Sequence, residues 1–362
     1  MKQPKTLTVD EALEQWQSFD TILDARTPAE FLDDHLPGAA NAAVLSDEER
    51  ITIGTIYKQV SAFEAKKRGA ALTARNIAAY IENQCLERAR DWRPLVYCWR
   101  GGNRSGSLAI ILAQIGFPVV QLEGGYKAFR ARVMQDLTTL PQGFRFVVLC
   151  GTTGSGKSRV LETIAAQGAQ TLDLEALANH RGSVLGPIPN KPQPSQRHFE
   201  TLLWSALKKL DPSQPVFVEC ESKKVGNVRV PEELMLTIRS GKCIVIDSAL
   251  QQRVALLRRD YPHWESDFNS FADRMQALEA ALGKDKVQNL LQRSQAGLWN
   301  EVVETLLVDH YDPAYLKSIH RNFKEYETAQ TIALSGIDDS ALQACARQVI
   351  SAEPSTSNPT TA

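Results

Sequence analysis

Residues 146–158 read FVVLCGTTGSGKS, and this stretch decides the fold of the second half of the chain. Its first five residues form a continuous apolar run, which is typical of a strand buried in a parallel sheet. Residues 151–158 match the pattern GxxxxGK[ST], and an apolar helical periodicity follows them. Because strand, glycine loop and helix occur in the required order, the sequence predicts an α/β domain that binds phosphate at this loop.

The residue types in this loop suit a diphosphate. Glycines let backbone N–H groups wrap the phosphates, Lys157 neutralises charge, and the Ser158 hydroxyl is placed to hold Mg²⁺. Any diphosphate ester presents the same oxygens, so the loop does not distinguish a nucleotide from another diphosphate. The predicted diphosphate-binding residues are Gly151, Thr152, Thr153, Gly154, Ser155, Gly156, Lys157 and Ser158.

A second stretch, YCWRGGNRS at residues 97–105, lies between a short apolar strand and another apolar helical pattern. Backbone N–H groups converge at such a junction and lower the pKa of a thiol there, so we predict that Cys98 is a nucleophile. Arg104 adds a fixed charge that can bind an oxyanion. A buried structural cysteine is the alternative interpretation. The other predicted anion-binding residues of this loop are Trp99, Arg100, Gly101, Gly102, Asn103 and Ser105.

Carboxylates stand beside two apolar segments of the second half. Asp173 follows a short apolar element, while Glu219 and Glu221 end the apolar run VFVE and the residues after it. Carboxylates at strand ends serve either metal binding and acid–base chemistry or helix capping and surface charge, and both readings stay open for these three.

Composition is that of an ordinary globular protein, with 43% hydrophobic and 23% charged residues among 362 and a net charge of −1. No apolar stretch reaches membrane-spanning length, and the N-terminus lacks a signal-peptide core, so we expect a cytoplasmic protein with no membrane contact. The six cysteines have no disulfide-framework or zinc spacing, and we expect reduced thiols and no zinc site.

The segment 10–136 carries three further patterns in order around the Cys98 loop. They are DxRxPxEF at residues 24–31, HxPGAxN at residues 35–41 and LEGGY at residues 122–126. Together with the cysteine loop they resemble a rhodanese domain, whose loop cysteine accepts sulfur or selenium as a persulfide or perselenide. Five residues separate Cys98 from Arg104, one more than in the usual sulfurtransferase loop and as in rhodanese-related phosphatases. The wider ring suits a phosphorylated donor and leaves a phosphatase activity open.

We therefore predict an α/β protein with a rhodanese-like α/β domain, a P-loop α/β domain with a parallel sheet, and a helical C-terminal part. The predicted boundaries are 10–136 for the first domain, 137–144 for a linker, 145–250 for the P-loop domain, 251–350 for the helical part and 351–362 for a disordered tail rich in Ser, Thr and Pro.

The whole chain resembles bacterial tRNA 2-selenouridine synthases. The motifs that carry the resemblance are CWRGGNRS, LEGGYKAFR, GTTGSGKS, DLEALANHRGSVLG and FVECES, in this order. The resemblance implies a selenotransferase with geranyltransferase activity. Such an enzyme converts wobble 2-thiouridine to 2-selenouridine through S-geranyl-2-thiouridine, using geranyl diphosphate, selenophosphate and a perselenide on Cys98.

The same resemblance implies the ligands and partners. Selenophosphate would bind at the Cys98–Ser105 loop and geranyl diphosphate at the Gly151–Ser158 loop, with Mg²⁺ as a candidate ion and no tightly bound cofactor. The tRNA anticodon stem-loop is the expected partner, and the enzyme that produces selenophosphate is a further candidate. Trp99 and Arg100 are candidates for stacking on an unstacked wobble base, although Trp99 could equally pack under its loop.

Three alternatives remain at this stage. The chain could be a P-loop NTPase or kinase with a regulatory or sulfurtransferase rhodanese domain, a plain thiosulfate sulfurtransferase, or a non-enzymatic tRNA-binding scaffold. Two observations distinguish these alternatives. One is the activity of the variants Cys98→Ser and Lys157→Ala, and the other is the identity of the diphosphate that the protein binds.

Overall fold

The computed structural model of the chain describes residues 3–100 and 102–353. Its first unit takes in Met1–Asp136 and Arg197–Ser205, and its second takes in Leu137–Gln196 and Ala206–Ala362. The predicted role of Gly101 and the predicted disorder of residues 354–362 lie outside the described residues.

The first unit is built on a parallel five-stranded sheet in the order β1-β5-β4-β2-β3. Its central strands are short apolar runs that are buried on both faces, as expected for a parallel sheet covered by helices. The strands are β1 (Lys5–Leu7), β2 (Thr21–Asp24), β3 (Ala39–Asn41), β4 (Pro94–Tyr97) and β5 (Val120–Leu122).

The first three helices of this unit begin at capping boxes, in which a hydroxyl accepts the N–H three residues on and a glutamate accepts the cap N–H. Thr27 and Glu30 form one such box, so Glu30 is fixed at the start of its helix. The helices are α1 (Val9–Glu14), α2 (Pro28–Asp33), α3 (Asp47–Gln59), α4 (Ala62–Gln84), α5 (Asn103–Ile115) and α6 (Gly125–Thr139), with a 3₁₀ turn at Trp16–Ser18.

The second unit has a parallel five-stranded sheet in the order β12-β11-β6-β8-β7, and a two-stranded antiparallel hairpin, β9-β10. The central strand β6 is the apolar run before the phosphate loop, flanked by β11 and β8. The strands are β6 (Arg145–Cys150), β7 (Gln170–Leu172), β8 (Pro215–Glu219), β9 (Lys224–Val225), β10 (Val228–Arg229), β11 (Lys242–Asp247) and β12 (Gln330–Ala333).

The remaining helices follow the sheet strands and then form a helical region. They are α7 (Lys157–Ala166), α8 (Leu174–Ala178), α9 (Gln196–Leu207), α10 (Glu232–Arg239), α11 (Leu250–Asp260), α12 (Pro262–Ser266), α13 (Phe268–Gln276), α14 (Glu279–Leu282), α15 (Lys284–Gln295), α16 (Trp299–Leu306), α17 (Asp312–Asn322) and α18 (Asp339–Ser351). Single turns of 3₁₀ helix at Leu140–Gly143 and Lys324–Tyr326 and of π-helix at Leu307–Tyr311 complete the list.

The predicted fold class is confirmed, since both units carry parallel α/β sheets and the C-terminal part is mainly helical. Two details differ from the predicted boundaries. Strand β12 and helix α18, within the predicted helical part 251–350, belong to the sheet and core of the P-loop unit. Residues 197–205, within the predicted P-loop segment 145–250, group with the first unit.

Both differences have a physical reason. A four-residue edge strand between helices carries too little periodicity to stand out, and grouping of residues 197–205 depends on long-range contacts such as Trp204 Nε1 donating to Asp136. No helix among the described residues has the length and apolar character needed to cross a membrane.

Candidate active site

The Cys98 loop joins the buried strand β4 to helix α5, as the sequence predicted. Cys98 itself is buried, and the amide of Tyr126 donates to its carbonyl oxygen over 2.7 Å. Gly125 makes this approach possible, because a Cβ at that position would lie 2.3 Å from the Cys98 carbonyl oxygen. The second glycine of the LEGGY motif therefore allows the chain to pass close to the backbone of the nucleophile loop.

Polar groups surround the Cys98 sulfur. The Ser105 hydroxyl donates to Sγ over 3.2 Å, and the backbone N–H groups of Ser105, Gly102 and Arg100 lie near enough to favour a thiolate. Burial alone would raise the pKa of the Cys98 thiol, but these donors lower that pKa below its ordinary value. The loop can thus stabilise a thiolate and bind an anion at the same point.

Arg104 is held by a carboxylate from another element. Its two terminal nitrogens bond the two oxygens of Glu30 over 2.6 and 3.2 Å, and both side chains are largely buried. Burial acts to raise the pKa of Glu30, but the hydrogen bonds and charge of Arg104 outweigh it, so the pKa of Glu30 is lowered. From the sequence, Arg104 is predicted to bind an oxyanion. The structure shows in addition that Glu30, a residue with no predicted role in the site, orients the Arg104 guanidinium.

A buried ion pair lies close to the Cys98 loop. Asp24 and Arg26 of the DxR motif pair over 2.6 Å, and the hydroxyl of Tyr97 donates to the same carboxylate. The Arg26 guanidinium lies 4.0 Å from the ring centroid of Tyr126, next to the Cys98 contact. Tyr126 also packs against Trp99, with ring centroids 5.4 Å apart. Trp99 is still 40% exposed, and Arg100 is exposed.

The phosphate loop, residues 151–156, connects β6 to α7. At Gly151 a Cβ would meet the Ile246 carbonyl oxygen at 2.4 Å, so only glycine allows the loop to pass this close to β11. Lys157 begins α7 and donates its Nζ to the carbonyl oxygens of Gly151 and Thr152, over 2.7 and 3.3 Å. The loop has the strand–turn–helix geometry that the motif requires.

Tyr315, from α17, completes this loop and was missed in the sequence. Its hydroxyl accepts the Gly151 N–H over 2.7 Å, and its ring centroid lies 5.6 Å from the Lys157 Nζ. Because Tyr315 is 164 residues from Gly151, no local pattern links the two.

Three glutamates gather beside Lys157. Oxygens of Glu175, Glu219 and Glu221 all lie within 4.8 Å of one another. The sequence named Asp173, Glu219 and Glu221; the structure brings the last two together with Glu175. Asp173 lies outside this cluster of three but lines the same cavity, and it caps α8 by accepting the Ala176 N–H over 2.8 Å.

Burial and mutual repulsion raise the pKa values of these glutamates. For Glu219 burial is the largest cause, and its pKa rises to about 7 although Lys157 opposes the shift. Burial followed by the charge of Glu219 raises the pKa of Glu175 well above its ordinary value, and burial also raises that of Glu221. Three ionised carboxylates this close together repel one another, and a divalent cation bound between them offsets that repulsion.

The donor set fits Mg²⁺. All candidate ligands are oxygens, and Glu219 Oε1 is buried without a hydrogen-bond partner among the described residues. The nearby Ser158 hydroxyl acts to lower the pKa of Glu219. Lys157, Ser158 and the three glutamates line a cavity of about 650 Å³. Its volume suits a small phosphorylated ligand.

Comparison with known proteins follows the same division of the chain. A family model described as the tRNA 2-selenouridine synthase AAA domain matches residues 144–347, and a rhodanese-like domain model matches residues 8–132. A tRNA 2-selenouridine synthase of Nitrosomonas europaea is 32% identical over 345 residues, which covers 83% of this chain and 89% of the relative.

Two further relatives extend this result. The tRNA 2-selenouridine synthase of Alcanivorax borkumensis is 34% identical over 327 residues, and that of Hydrogenovibrio crunogenus is 30% identical over 328 residues. Each match covers 81% of this chain and 88% of the relative. Since the matches extend through both units, this chain belongs to the tRNA 2-selenouridine synthase family.

Proposed function

We propose that this chain is a tRNA-modifying enzyme that replaces the sulfur of wobble 2-thiouridine with selenium in two steps, geranylation and then selenium insertion. Family membership supports the overall conversion. The observation that carries the chemical proposal is the Cys98 sulfur, which accepts a hydrogen bond from the Ser105 hydroxyl and whose pKa is lowered by that hydroxyl and by nearby backbone N–H groups. The phosphate loop with its three glutamates supplies a second, separate anion site.

In the first step the sulfur at C2 of 2-thiouridine attacks C1 of geranyl diphosphate. The C1–O bond breaks, pyrophosphate leaves with the bonding electron pair, and the base loses its N3 proton. Backbone N–H groups of the loop and Lys157 stabilise the negative charge that develops on the leaving group. A Mg²⁺ ion at Ser158 and the glutamates Glu175, Glu219 and Glu221 would add positive charge there.

In the second step Cys98 carries selenium. Its thiolate attacks the selenium of selenophosphate, the Se–P bond breaks, and phosphorus keeps the electron pair and leaves as phosphite. The terminal selenium of the perselenide then attacks C2 of the geranylated base and expels the geranylthiolate. An added small-molecule thiol attacks the Cys98 sulfur, breaks the S–Se bond and leaves selenium on the base; a second thiol reduces the resulting mixed disulfide.

The five-residue spacing between Cys98 and Arg104 favours one alternative for this step. A phosphatase-like attack on phosphorus would give a phosphocysteine and free hydroselenide, and water would then release phosphate. The two routes differ in product, because the perselenide route gives phosphite and the phosphorus route gives phosphate. Phosphorus NMR of a single-turnover reaction distinguishes them.

The wobble base has to leave its stack to react. Trp99 and Arg100 are exposed at the open side of the Cys98 loop and offer faces on which an extruded base can stack. We therefore include both residues in the proposed tRNA site.

An omission experiment tests the two-step proposal. Purified protein is incubated with a 2-thiouridine anticodon stem-loop, geranyl diphosphate, selenophosphate, Mg²⁺ and thiol, and nucleosides are identified by mass spectrometry. We expect 2-selenouridine with all components, S-geranyl-2-thiouridine without selenophosphate, and unchanged 2-thiouridine without geranyl diphosphate. Dependence on ATP in place of geranyl diphosphate would favour the P-loop NTPase or kinase.

A further inference from the structure

A second, smaller cavity adjoins the phosphate-loop cavity. It measures about 70 Å³, and five residues line both cavities: Thr153, Ser183, Leu257, Tyr261 and Tyr311. Thr153 belongs to the phosphate loop itself, so the small cavity opens beside that loop. A ligand anchored at the loop can extend into it without leaving the unit.

The inner wall of this cavity is apolar and aromatic. Trp264, Phe271 and Trp299 line it together with Val302 and Leu306. Four of these belong to the buried hydrophobic cluster of the helical region, and the partly buried Trp299 packs against that cluster. Phe271 and Trp299 meet edge to face, with ring centroids 5.1 Å apart. These side chains form a rigid apolar lining that excludes water from an occupant.

The cavity also presents no uncompensated charge. Arg258 and Glu265 are its two charged lining residues, and they bond each other through two contacts of 2.7 and 3.0 Å. The hydroxyl groups of the lining belong to Thr153, Ser183, Tyr261 and Tyr311, which all line the phosphate cavity as well. Among the described residues of the inner wall, the uncharged side-chain donors are then the indole N–H groups of Trp264 and Trp299, which are too few for the edge of a purine. A hydrocarbon makes no such demand.

We infer that this pocket, formed by α11, α12, α13 and α16, holds the hydrocarbon chain of a prenyl diphosphate whose phosphates lie on the Gly151–Ser158 loop. The inference rests on the proposed use of geranyl diphosphate and adds which residues select the hydrocarbon. Trp264, Phe271 and Trp299, which do not line the phosphate cavity, limit the chain length.

Val303 provides the test, because it lines the pocket, is half-buried and lies on α16 away from the phosphate cavity. Val303→Phe narrows the pocket, and Val308→Phe makes the same change at a 48% exposed position that lines neither cavity. Binding of geranyl diphosphate, dimethylallyl diphosphate and inorganic pyrophosphate is measured by calorimetry with Mg²⁺ for the three proteins.

We expect wild type and Val308→Phe to bind geranyl diphosphate at least about tenfold more tightly than pyrophosphate, and Val303→Phe to lose about tenfold or more of that preference. Binding of pyrophosphate stays unchanged in all three, which shows that the variants are folded. Dimethylallyl diphosphate, with half the chain, is affected less by Val303→Phe than geranyl diphosphate. Val303→Ala, which enlarges the pocket, shifts the preference toward farnesyl diphosphate.

Two results overturn the inference while leaving the proposed function intact: equal binding of geranyl diphosphate and pyrophosphate by wild type that still geranylates tRNA, or full geranyl preference in Val303→Phe. Competition by ATP that Val303→Phe abolishes would place a nucleobase in the pocket and also overturn it. Absence of both diphosphate binding and geranylation in wild type would instead reject the proposed function, and with it the inference.

Discussion

The Ser105 hydroxyl donates to the Cys98 sulfur over 3.2 Å, and the side-chain amide of Gln121 donates to that same hydroxyl oxygen over 3.0 Å. Because the Gln121 contact uses an acceptor site of the hydroxyl, the Ser105 proton is directed to the sulfur. This relay joins β5, α5 and the nucleophile loop. It gives a local cause for the lowered pKa of Cys98.

Ser105→Ala should raise the pKa of Cys98. Losing a hydrogen bond to a thiolate corresponds to a shift of about one pH unit. The rate of iodoacetamide alkylation of Cys98, followed against pH by mass spectrometry, should therefore show a higher midpoint and a slower reaction at pH 7. Ser107→Ala, whose hydroxyl donates to the Asn103 carbonyl on the same helix, serves as control. An unchanged midpoint in Ser105→Ala would contradict the relay.

Arg104→Ala should impair use of selenophosphate more than geranylation, since Arg104 lies in the selenium-donor loop. We expect the KM for selenophosphate to rise about tenfold or more, the effect of losing a charge-assisted contact. Glu30→Gln should give a smaller rise, because it weakens the orientation of the guanidinium and keeps its charge. Arg50, which contacts Glu30 at 3.5 Å and is 53% exposed, gives the control Arg50→Ala. Equal effects of both arginine variants would refute a specific role for Arg104.

Lys157→Ala should lower the rate of geranylation by about 10²–10³, because it removes a positive charge from the departing pyrophosphate. Selenium insertion into tRNA that is already geranylated should partly recover in this variant. Lys224→Ala, at an exposed position that lines neither cavity, is the matched control. Normal geranylation by Lys157→Ala would assign the loop another role and strengthen the NTPase alternative.

From the glutamate cluster we expect the rise in Tm on adding Mg²⁺ to depend on pH. Burial raises the pKa of Glu219 from 4.5 to about 7, so the folded state binds its proton more tightly than the unfolded state. The resulting stability is fully present below about pH 4.5 and is lost as the pH rises through about 7. Mg²⁺ should restore it, and the rise in Tm on adding Mg²⁺ should be larger at pH 8 than at pH 5.5.

Glu219→Gln should reduce both the loss of Tm toward pH 8 and the response to Mg²⁺. Glu304→Gln changes an exposed glutamate of the same unit and should behave as wild type. A Mg²⁺ response that is equal in wild type and Glu219→Gln would show that the ion binds elsewhere.

Local sequence was sufficient for the parts of both sites that are continuous in the chain. The Cys98 loop and the Gly151–Ser158 loop each lie between a strand and a helix, so their geometry follows from spacing and glycine content. Fold class followed from the same strand–loop–helix order.

The missed residues reach the sites through tertiary contacts. Glu30 is 74 residues from Arg104, and only its role as a helix cap could be inferred from its neighbours. Glu175 lies two residues after Asp173, at the start of α8. Asp173 is the N-cap of this helix, while the Glu175 side chain lies close to Glu219 and Glu221. The acidic pair Asp173 and Glu175 at the start of this short helix was the signal in the sequence that could have identified Glu175.

The central claim is that Cys98 delivers selenium to a base that has already been geranylated. Its most direct test is nucleoside mass spectrometry of 2-thiouridine tRNA treated with geranyl diphosphate, selenophosphate and either wild type, Cys98→Ser or the control Cys85→Ser, which changes another buried thiol of the same unit. We predict 2-selenouridine with wild type and Cys85→Ser, and accumulation of S-geranyl-2-thiouridine without 2-selenouridine with Cys98→Ser. Wild-type levels of 2-selenouridine from Cys98→Ser would contradict the account.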